Sequence, residues 1–336
     1  MPEALIDSYG RTVRDLRISI TDRCNFRCQY CMPEEGMVWL PRDELLTFEE
    51  IHRIAAVCVE RFGVEGIRLT GGEPTVRAHL ARLVGRLASL RVGGPSGPPI
   101  DLALTTNGAS FALLADDLRR AGLRRVNISC DSLRAERFLA ITRRDALPAV
   151  LDGIAAALAA GFDPVKVNCV LMRGVNDDEV LDFAAFGRQH GVHVRFIEFM
   201  PLDASDHWAQ GQVVSSAEVV AAIDAVYPLE AVGGRGAEPA SRYRYLDGEG
   251  EIGVIASVTQ PFCDSCDRVR LTAEGQLRSC LFAIEETDLR AILRGGGSDD
   301  DLALAIAGCV GRKWAGHSIG QVTFIRPGRS MSQIGG

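Results

Sequence analysis

The sequence predicts an α/β fold. Short β-like runs alternate with longer amphipathic runs, helix start and stop residues punctuate them, and polar residues collect where each run gives way to a loop. The first run is "RDLRISIT", around residue 17. It is followed by "TFEEIHRIAAVCVERFG", apolar at helical spacing and opened by a threonine in N-cap position. "GIRLTGG" around 69 precedes "VRAHLARLVGRLASL", and "RVGGPSGPPID" reads as an interior loop. "DLALTTNG" around 104 precedes "FALLADDLRRAG", and "RRVNISCD" around 128 leads on to "LPAVLDGIAAALAAG". "PVKVNCVL" around 168 precedes "DDEVLDFAAFGRQHG", and "HVRFIEFM" around 196 is the sixth strand.

Six such units suit an incomplete (β/α) barrel or an open doubly wound sheet. Both put chemistry at the C-terminal ends of parallel strands. Gly71–Gly72–Glu73–Pro74, Thr105–Thr106–Asn107–Gly108, Ser129–Cys130–Asp131 and Glu198–Phe199–Met200 all fall there. Beyond about residue 225 the rhythm changes. "VGGRGAEPAS" is a loop, "RYRYLDGEGEIGVIASVT" reads as a hairpin, and "DDDLALAIAGCVGRKW" reads as a helix. The division expected is 1–225 for the barrel domain and 226–336 for a smaller C-terminal domain.

Hydrophobic residues make up 47% of the 336 and charged residues 24%, enough apolar material for a sizeable core. The net charge of −7 speaks against a general nucleic-acid binder while leaving room for a local basic pocket. No apolar run is long enough to span a bilayer, and the first residues lack the pattern of a secretion signal. A cytoplasmic location is therefore expected, in which ten cysteines are not five disulfides. Only two lysines occur, Lys166 and Lys313, so a lysine inside an apolar strand stands out.

"RCNFRCQYCMP" holds Cys24, Cys28 and Cys31 as C-x3-C-x2-C, directly after the first strand. Structural zinc sites want four ligands in paired knuckles, and no fourth Cys or His lies within twenty residues. Three thiolates suit a 4Fe–4S cube with one iron left open. The alternative is a zinc site completed from a distance. "PFCDSCDRVRLTAEGQLRSC" poses the same question again with Cys263, Cys266 and Cys280. A zinc site completed by His317 or His207 competes more strongly here. Arg268 and Arg270, at alternate positions, would share one face beside it and suit an anionic ligand.

The first triplet, the aromatic Tyr30 before its last cysteine, and Gly71–Gly72–Glu73–Pro74 one unit later resemble the radical S-adenosylmethionine superfamily. Within it, the pair of triplets resembles the GTP 3′,8-cyclase family of molybdenum cofactor biosynthesis. So do "LRISITDRCNFRCQYCMP", "IRLTGGEPTVR", "LTTNG", "GLRRVNIS", "VKVN", "RFIEFM", "PFCDSCDRVRL" and the terminal "IGG". The resemblance implies an incomplete (β/α)6 TIM-type barrel with a C-terminal α+β extension carrying a second Fe–S cluster. It implies two 4Fe–4S clusters, on Cys24, Cys28 and Cys31 and on Cys263, Cys266 and Cys280. It places Tyr30, Gly72, Ser129 and Met200 against S-adenosylmethionine. It places Arg17, Arg68, Thr105, Lys166, Arg268, Arg270 and the main chain of Val269 against GTP.

The reaction implied converts GTP to (8S)-3′,8-cyclo-7,8-dihydroguanosine 5′-triphosphate through a 5′-deoxyadenosyl radical, with no side chain as acid or base. The implied partners are GTP, a reductant for the cluster and a companion protein that forms the cyclic pyranopterin, with no nucleic acid or membrane and a monomer or homodimer. In that family the terminal Gly335–Gly336 reaches into the site. The rival readings are a peptide-modifying radical enzyme with a fully ligated second cluster and a non-catalytic zinc scaffold. Cys58, Cys130, Cys169 and Cys309 are expected to be buried small side chains, and His52, His79, His190 and His193 to lie on helix surfaces or loops.

Overall fold

The computed structural model describes residues 3–202, 208–234, 236–319, 321 and 324–335. Strands β1 (Asp15–Ser19), β2 (Gly66–Thr70), β3 (Asp101–Thr106), β4 (Arg125–Ser129), β5 (Val165–Leu171) and β6 (His193–Glu198) are the six expected from the sequence. Helices α1 (Phe48–Ala56), α2 (Leu80–Ala88), α3 (Ala115–Arg120), α4 (Ala135–Thr142), α5 (Leu147–Ala159) and α6 (Val180–His190) cross between them. Thr47 caps α1 in a capping box with Glu50. The β4–β5 crossover holds two helices, and the sequence reading found only α5. A single turn-like "TRRD", with Arg143 in the left-handed conformation, separates the two.

The remaining elements are α7 (Ser216–Asp224), β7 (Leu229–Val232), β8 (Ser241–Tyr245), β9 (Glu251–Ile255), β10 (Arg268–Leu271), β11 (Gln276–Arg278), β12 (Thr287–Asp288), α8 (Leu289–Arg294), α9 (Asp299–Gly311) and α10 (Met331–Ile334). The expected hairpin is β8–β9, paired antiparallel. The described residues form one twelve-stranded sheet ordered β12-β11-β10-β1-β2-β3-β4-β5-β6-β9-β8-β7. Chain beyond residue 225 thus joins both edges of the barrel sheet: β10 runs parallel to β1, and β9 runs parallel to β6.

Register fixes which residues face inward. Arg17 pairs with Arg68 and with Arg270, Thr105 with Asn127, Asn127 with Lys166, and Asn168 with both Ser129 and Arg195. Side chains alternate across a strand, so these polar residues share the concave face. The opposite face carries Leu16, Ile18, Leu69, Leu104, Ile128, Val167, Phe196 and Val269, all fully or nearly fully buried against the helices. The apolar core therefore lies between sheet and helices. Cys58, Cys130, Cys169 and Cys309 belong to it, as expected. His193 differs from expectation: it opens β6, 3.1 Å from Glu251 of β9.

Candidate functional site

A cavity of about 260 Å³ opens at the C-terminal ends of the strands. Its rim is made by the loop after β1, and the packing of that loop explains its sequence. The amide of Gly72 donates to Thr21 O at 2.7 Å, and that of Glu73 donates to Arg23 O at 2.8 Å. A Cβ on Gly72 would lie 2.4 Å from the carbonyl oxygens of both Asp22 and Arg23. The glycine pair thus lets the β2 loop lie flat against the chain entering Cys24, a close approach only glycine permits. Glu73 is buried and accepts from the Thr75 amide and hydroxyl, the Thr106 hydroxyl at 2.6 Å and the Asn107 amide at 2.6 Å. It pins the β2 and β3 loops together.

Cys24, Cys28 and Cys31 all line this cavity. Burial pushes the Cys24 thiol up to about 11 and Cys31 up to about 12, and raises Cys28 as well. Three crowded thiols held neutral by burial, with Cys28 and Cys31 raised further by their neighbours, are a donor set that a cationic iron cluster would convert to thiolates. Tyr30, between two of them, donates from its hydroxyl to Asp131 at 2.7 Å, and Asp131 also accepts from the Val170 amide at 2.9 Å. Burial lifts the Asp131 carboxyl to about 6, against the lowering pull of Tyr30.

The inner wall is cationic. Arg17, Arg68, Arg195, Arg268 and Arg270 line the cavity, together with Thr105, Asn127 and Asn168. Burial, then Arg268 and Arg68, bring the Arg17 guanidinium down to about 9, and burial with Arg17 and Arg268 pushes Arg270 well below its usual range. Buried Nε of Arg17, Nε and Nη1 of Arg68, Nε and Nη2 of Arg268 and Oδ1 of Asn168 have no hydrogen-bond partner. Native interiors rarely leave such groups unmet, so the guanidinium donors of this set fit a bound polyanion, while the Asn168 oxygen wants a donor. Lys166 lies one inward position below Asn168. It is buried, and burial followed by Arg195 and Arg125 holds its ammonium down to about 7. The alternative, an internal ion pair of these cations with Glu198, is not what Glu198 does. It accepts from the amides of Ser216, Val258 and Thr259 and from the Thr259 hydroxyl, fastening the end of β6 to the segment that leads to Cys263.

Lys166 is not among the lining residues, but Ser129, Gly72, Tyr30 and Met200 are, so the residues expected against S-adenosylmethionine share one space with Arg17, Arg68, Thr105, Arg268 and Arg270 of those expected against GTP. Val269 does not: its side chain is buried on the outer face, leaving its main chain alone for any contact. Cys263, Cys266 and Cys280 are half-buried just behind the wall, each beside a lining residue or one removed, with Phe262 and Leu281 reaching the cavity. Their thiols sense one another, and burial raises Cys263. Cys266 is held below its ordinary value: burial pushes it up, but Arg268 and Lys313 outweigh that. Of the histidines weighed for a zinc site, His317 packs its ring on Phe282 at 5.0 Å and accepts from the Ile319 amide at 3.4 Å; His207 lies outside the described residues.

The tail enters the same space. Met331 and Ser332 line the cavity, Ser332 hydrogen-bonds the Cys31 thiol, and the Gly335 carbonyl accepts from Arg270. Gly336 lies outside the described residues. Arg329 moors this tail through ion pairs to Glu274 and Glu286. The sequence reading missed Asn127, Asn168, Arg195, Asp131 and Ser332 as lining residues. Strict alternation along β4, β5 and β6 carries the signal for the first three.

Two family descriptions match the chain: Radical SAM superfamily over residues 18–187 and Molybdenum Cofactor Synthesis C over residues 192–319. A protein of Streptomyces coelicolor named GTP 3′,8-cyclase is 48% identical over 334 residues, 99% of this chain and 96% of that one. One of the same name from Mycolicibacterium smegmatis is 46% identical over 337 residues, 99% and 92% of the two chains. Among solved structures, native anSMEcpe with bound AdoMet superposes with a TM-score of 0.60 at 13% identity, over 87% of this chain and 79% of that one. Streptococcus suis SuiB bound to S-adenosylmethionine gives 0.58 at 11% identity, over 85% and 67%. At these identities the two structures speak for the fold alone.

Proposed function

We propose, from the premise that this chain belongs to the GTP 3′,8-cyclase family of the radical S-adenosylmethionine superfamily, how its own residues carry out that family's reaction. The chain is a radical enzyme that converts GTP to (8S)-3′,8-cyclo-7,8-dihydroguanosine 5′-triphosphate in molybdenum cofactor biosynthesis, and it uses two 4Fe–4S clusters and S-adenosylmethionine. The observation that carries the residue assignment is one cavity with a thiol triplet at its rim and unpartnered buried guanidiniums on its inner wall.

Cys24, Cys28 and Cys31 would hold the first cluster, and Cys263, Cys266 and Cys280 the second. When bound, S-adenosylmethionine on the first cluster supplies the one-electron chemistry that takes a hydrogen atom from the substrate. The protein's share is position and exclusion of water. Tyr30, Gly72, Ser129 and Met200 border the cofactor's side of the cavity. Arg17, Arg68, Lys166 and Arg268 bind the triphosphate, and charge-assisted hydrogen bonds there meet donors of the three arginines that otherwise go unpaired. Thr105, Arg270 and the Val269 main chain complete the substrate's side. No side chain is required as a general acid or base.

The finer partners belong to the same proposal: a reductant, a transient pyranopterin-forming companion, and a monomer or homodimer, in the cytoplasm. No helix among the described residues is long and apolar enough to cross a membrane. The division at about residue 225 is also proposed. It separates the six βα units from the chain that brings the second triplet in beside β10, the strand next to β1. The test is anaerobic incubation of the reduced, cluster-loaded protein with S-adenosylmethionine and each nucleoside triphosphate in turn. GTP alone should stimulate 5′-deoxyadenosine formation and yield the cyclised product, and equal turnover with ATP would sink the substrate assignment. Zinc without iron after anaerobic purification would defeat the cluster assignment.

A further inference from the structure

Lys313, one of the two lysines, is buried at 4% exposure just after α9. Among the described residues it makes no ion pair with a carboxylate. Its ammonium donates instead to Arg268 O at 2.7 Å, Cys266 O at 3.1 Å and Cys266 Sγ at 3.6 Å. Three acceptors use all three of its donors, and all three belong to the second cysteine loop. Burying an ammonium whose hydrogen bonds go only to two neutral carbonyls and a thiol is costly, even with the Asp267 carboxylate beside Cys266 feeling its charge, and a methionine stem would fill the same space. A lysine there makes physical sense once Cys266 is a thiolate ligand, because the ammonium then meets a fixed negative charge.

The surroundings repeat the pattern. Arg11 donates to Cys263 O at 2.7 Å and to the carbonyls of Trp314 and Ala315, binding the loop to the segment that carries Lys313. Gly316 lies so close that a Cβ would stand 3.0 Å from Cys263 Cβ, and the His317 amide hydrogen-bonds the Cys263 thiol. Residues 313–317 thus form a saddle on the second triplet. The first triplet differs: cations reach its loop at carbonyls, Arg27 at Cys24 O (2.7 Å) and Phe26 O (2.8 Å) and Arg143 at Arg27 O and Met32 O, and among the described residues no charged donor bonds its thiols. Its thiols receive neutral donors, namely the Phe26 amide at 3.3 Å, the distant Asn107 amide group and Ser332. The charges around it are the carboxylates of Glu73 and Asp131 against the single guanidinium of Arg27.

We propose that Lys313 is a positioning residue for the second cluster: it holds the ligand loop by two carbonyls and, through its charge on Cys266 Sγ, makes that cluster easier to reduce than the first. Reduction adds one electron to a cluster and so adds negative charge, which a fixed cation at a ligand sulfur stabilises, whereas nearby carboxylates oppose it. The electron comes from dithionite in the test below. No proton transfer from Lys313 is involved. The inference rests on the reading that Cys263, Cys266 and Cys280 carry a cluster.

The experiment is a mediated dithionite titration of the full-length, anaerobically loaded protein, followed by electron paramagnetic resonance. S-adenosylmethionine perturbs the signal of the first cluster and GTP that of the second, which assigns them. Wild type, Lys313→Met, Lys313→Gln and Lys313→Arg are compared. In wild type the second cluster should reduce first. In Lys313→Met and Lys313→Gln, its reduced-to-oxidised ratio at the wild-type midpoint should fall about tenfold, about 59 mV for one electron, with the first cluster unmoved. Lys313→Arg should recover most of that ratio. Should Lys313→Met lose its second cluster, Lys313→Gln, which keeps a neutral donor, decides the matter. A second-cluster couple unmoved by loss of the charge, or an equal shift of both clusters, overturns the inference. Wild-type protein holding about four irons instead of about eight would overturn the second-cluster reading itself, a result distinct from eight irons with an unmoved couple.

Discussion

Lys166 should make GTP binding consume a proton. Burial, then Arg195 and Arg125, hold its ammonium down to about 7, against an ordinary 10.5. The folded value is below the unfolded one. Charging Lys166 therefore costs stability below about pH 7, and the cost is relieved as pH rises from there toward the unfolded value. A triphosphate placed among Arg17, Arg68 and Lys166 reverses the repulsion and returns the lysine toward its ordinary range. If the bound value is near 10.5, linkage gives about 0.9 protons taken up per GTP at pH 8. Affinity should weaken about fivefold from pH 7 to 8, and about ninefold more from pH 8 to 9. Titration calorimetry at about pH 8 in buffers of different ionisation enthalpy reads the uptake directly, and at that pH the nucleotide's own last phosphate proton is already gone. Lys166→Arg keeps a charge that does not titrate between pH 7 and 8, below the range in which Arg17 loses its proton, so over that step its affinity should stay flat with pH. Near-zero uptake in wild type, or a pH slope that persists in Lys166→Arg, would refute the reasoning.

Three further outcomes follow from contacts in the structure. Gly72→Ala drives a Cβ to 2.4 Å from two backbone carbonyls of the loop entering Cys24, so metal analysis should find about four irons in place of about eight. Glu198→Gln replaces two acceptor oxygens by one where three amides and a hydroxyl converge. Each donor left unmet costs about 1–3 kcal/mol, and calorimetry should show a lower Tm while chelator challenge strips the second cluster before the first. Arg270→Ala removes the donor to the Gly335 carbonyl and one wall cation, and the KM for GTP should rise at least about tenfold, as loss of a hydrogen bond of about 1.5–3 kcal/mol to a charged group implies; an unchanged KM would remove Arg270 from the site.

The strands and their polar ends were legible because alternation and cysteine spacing are local signals. "RISIT" shows Arg17 inward and its neighbours outward without any knowledge of the partner strand, and the triplets announce themselves within a few residues. What stayed hidden depends on contacts across the chain. Lys313 meets Cys266 across 47 residues, Arg11 meets Cys263 across 252, and Ser332 reaches Cys31 from the tail. Glu198, an acid at the end of β6, is no counter-charge for the wall cations because it spends both oxygens on backbone amides and one hydroxyl. The glycine pair is visible as a motif, but that it makes room for the backbone of the cluster loop shows only in the fold. Helix α4 escaped because only a brief polar break separates it from α5, and the expected pattern had one helix per crossover.

A closed barrel of eight strands fills its interior with apolar side chains. Here the concave face carries guanidiniums, amides and a lysine, with Val170, Ile197 and Ile255 as its apolar share, while the main apolar core faces the helices. Stability and function are therefore on opposite faces of the same strands. In the unliganded chain, Arg68 leaves Nε and Nη1 buried and unpaired, an arrangement that lowers stability by about 1–3 kcal/mol per unmet group. Arg68→Met keeps the stem and removes both donors, so it should raise the Tm of the nucleotide-free protein by a few degrees. Saturating GTP should reverse the order. At a hundred times Kd the ligand adds about 2.7 kcal/mol to the wild type, and little to the variant at the same concentration. A variant less stable than wild type without nucleotide would mean that Arg68 has a partner within the fold and that the cationic wall is structural rather than built for a polyanion.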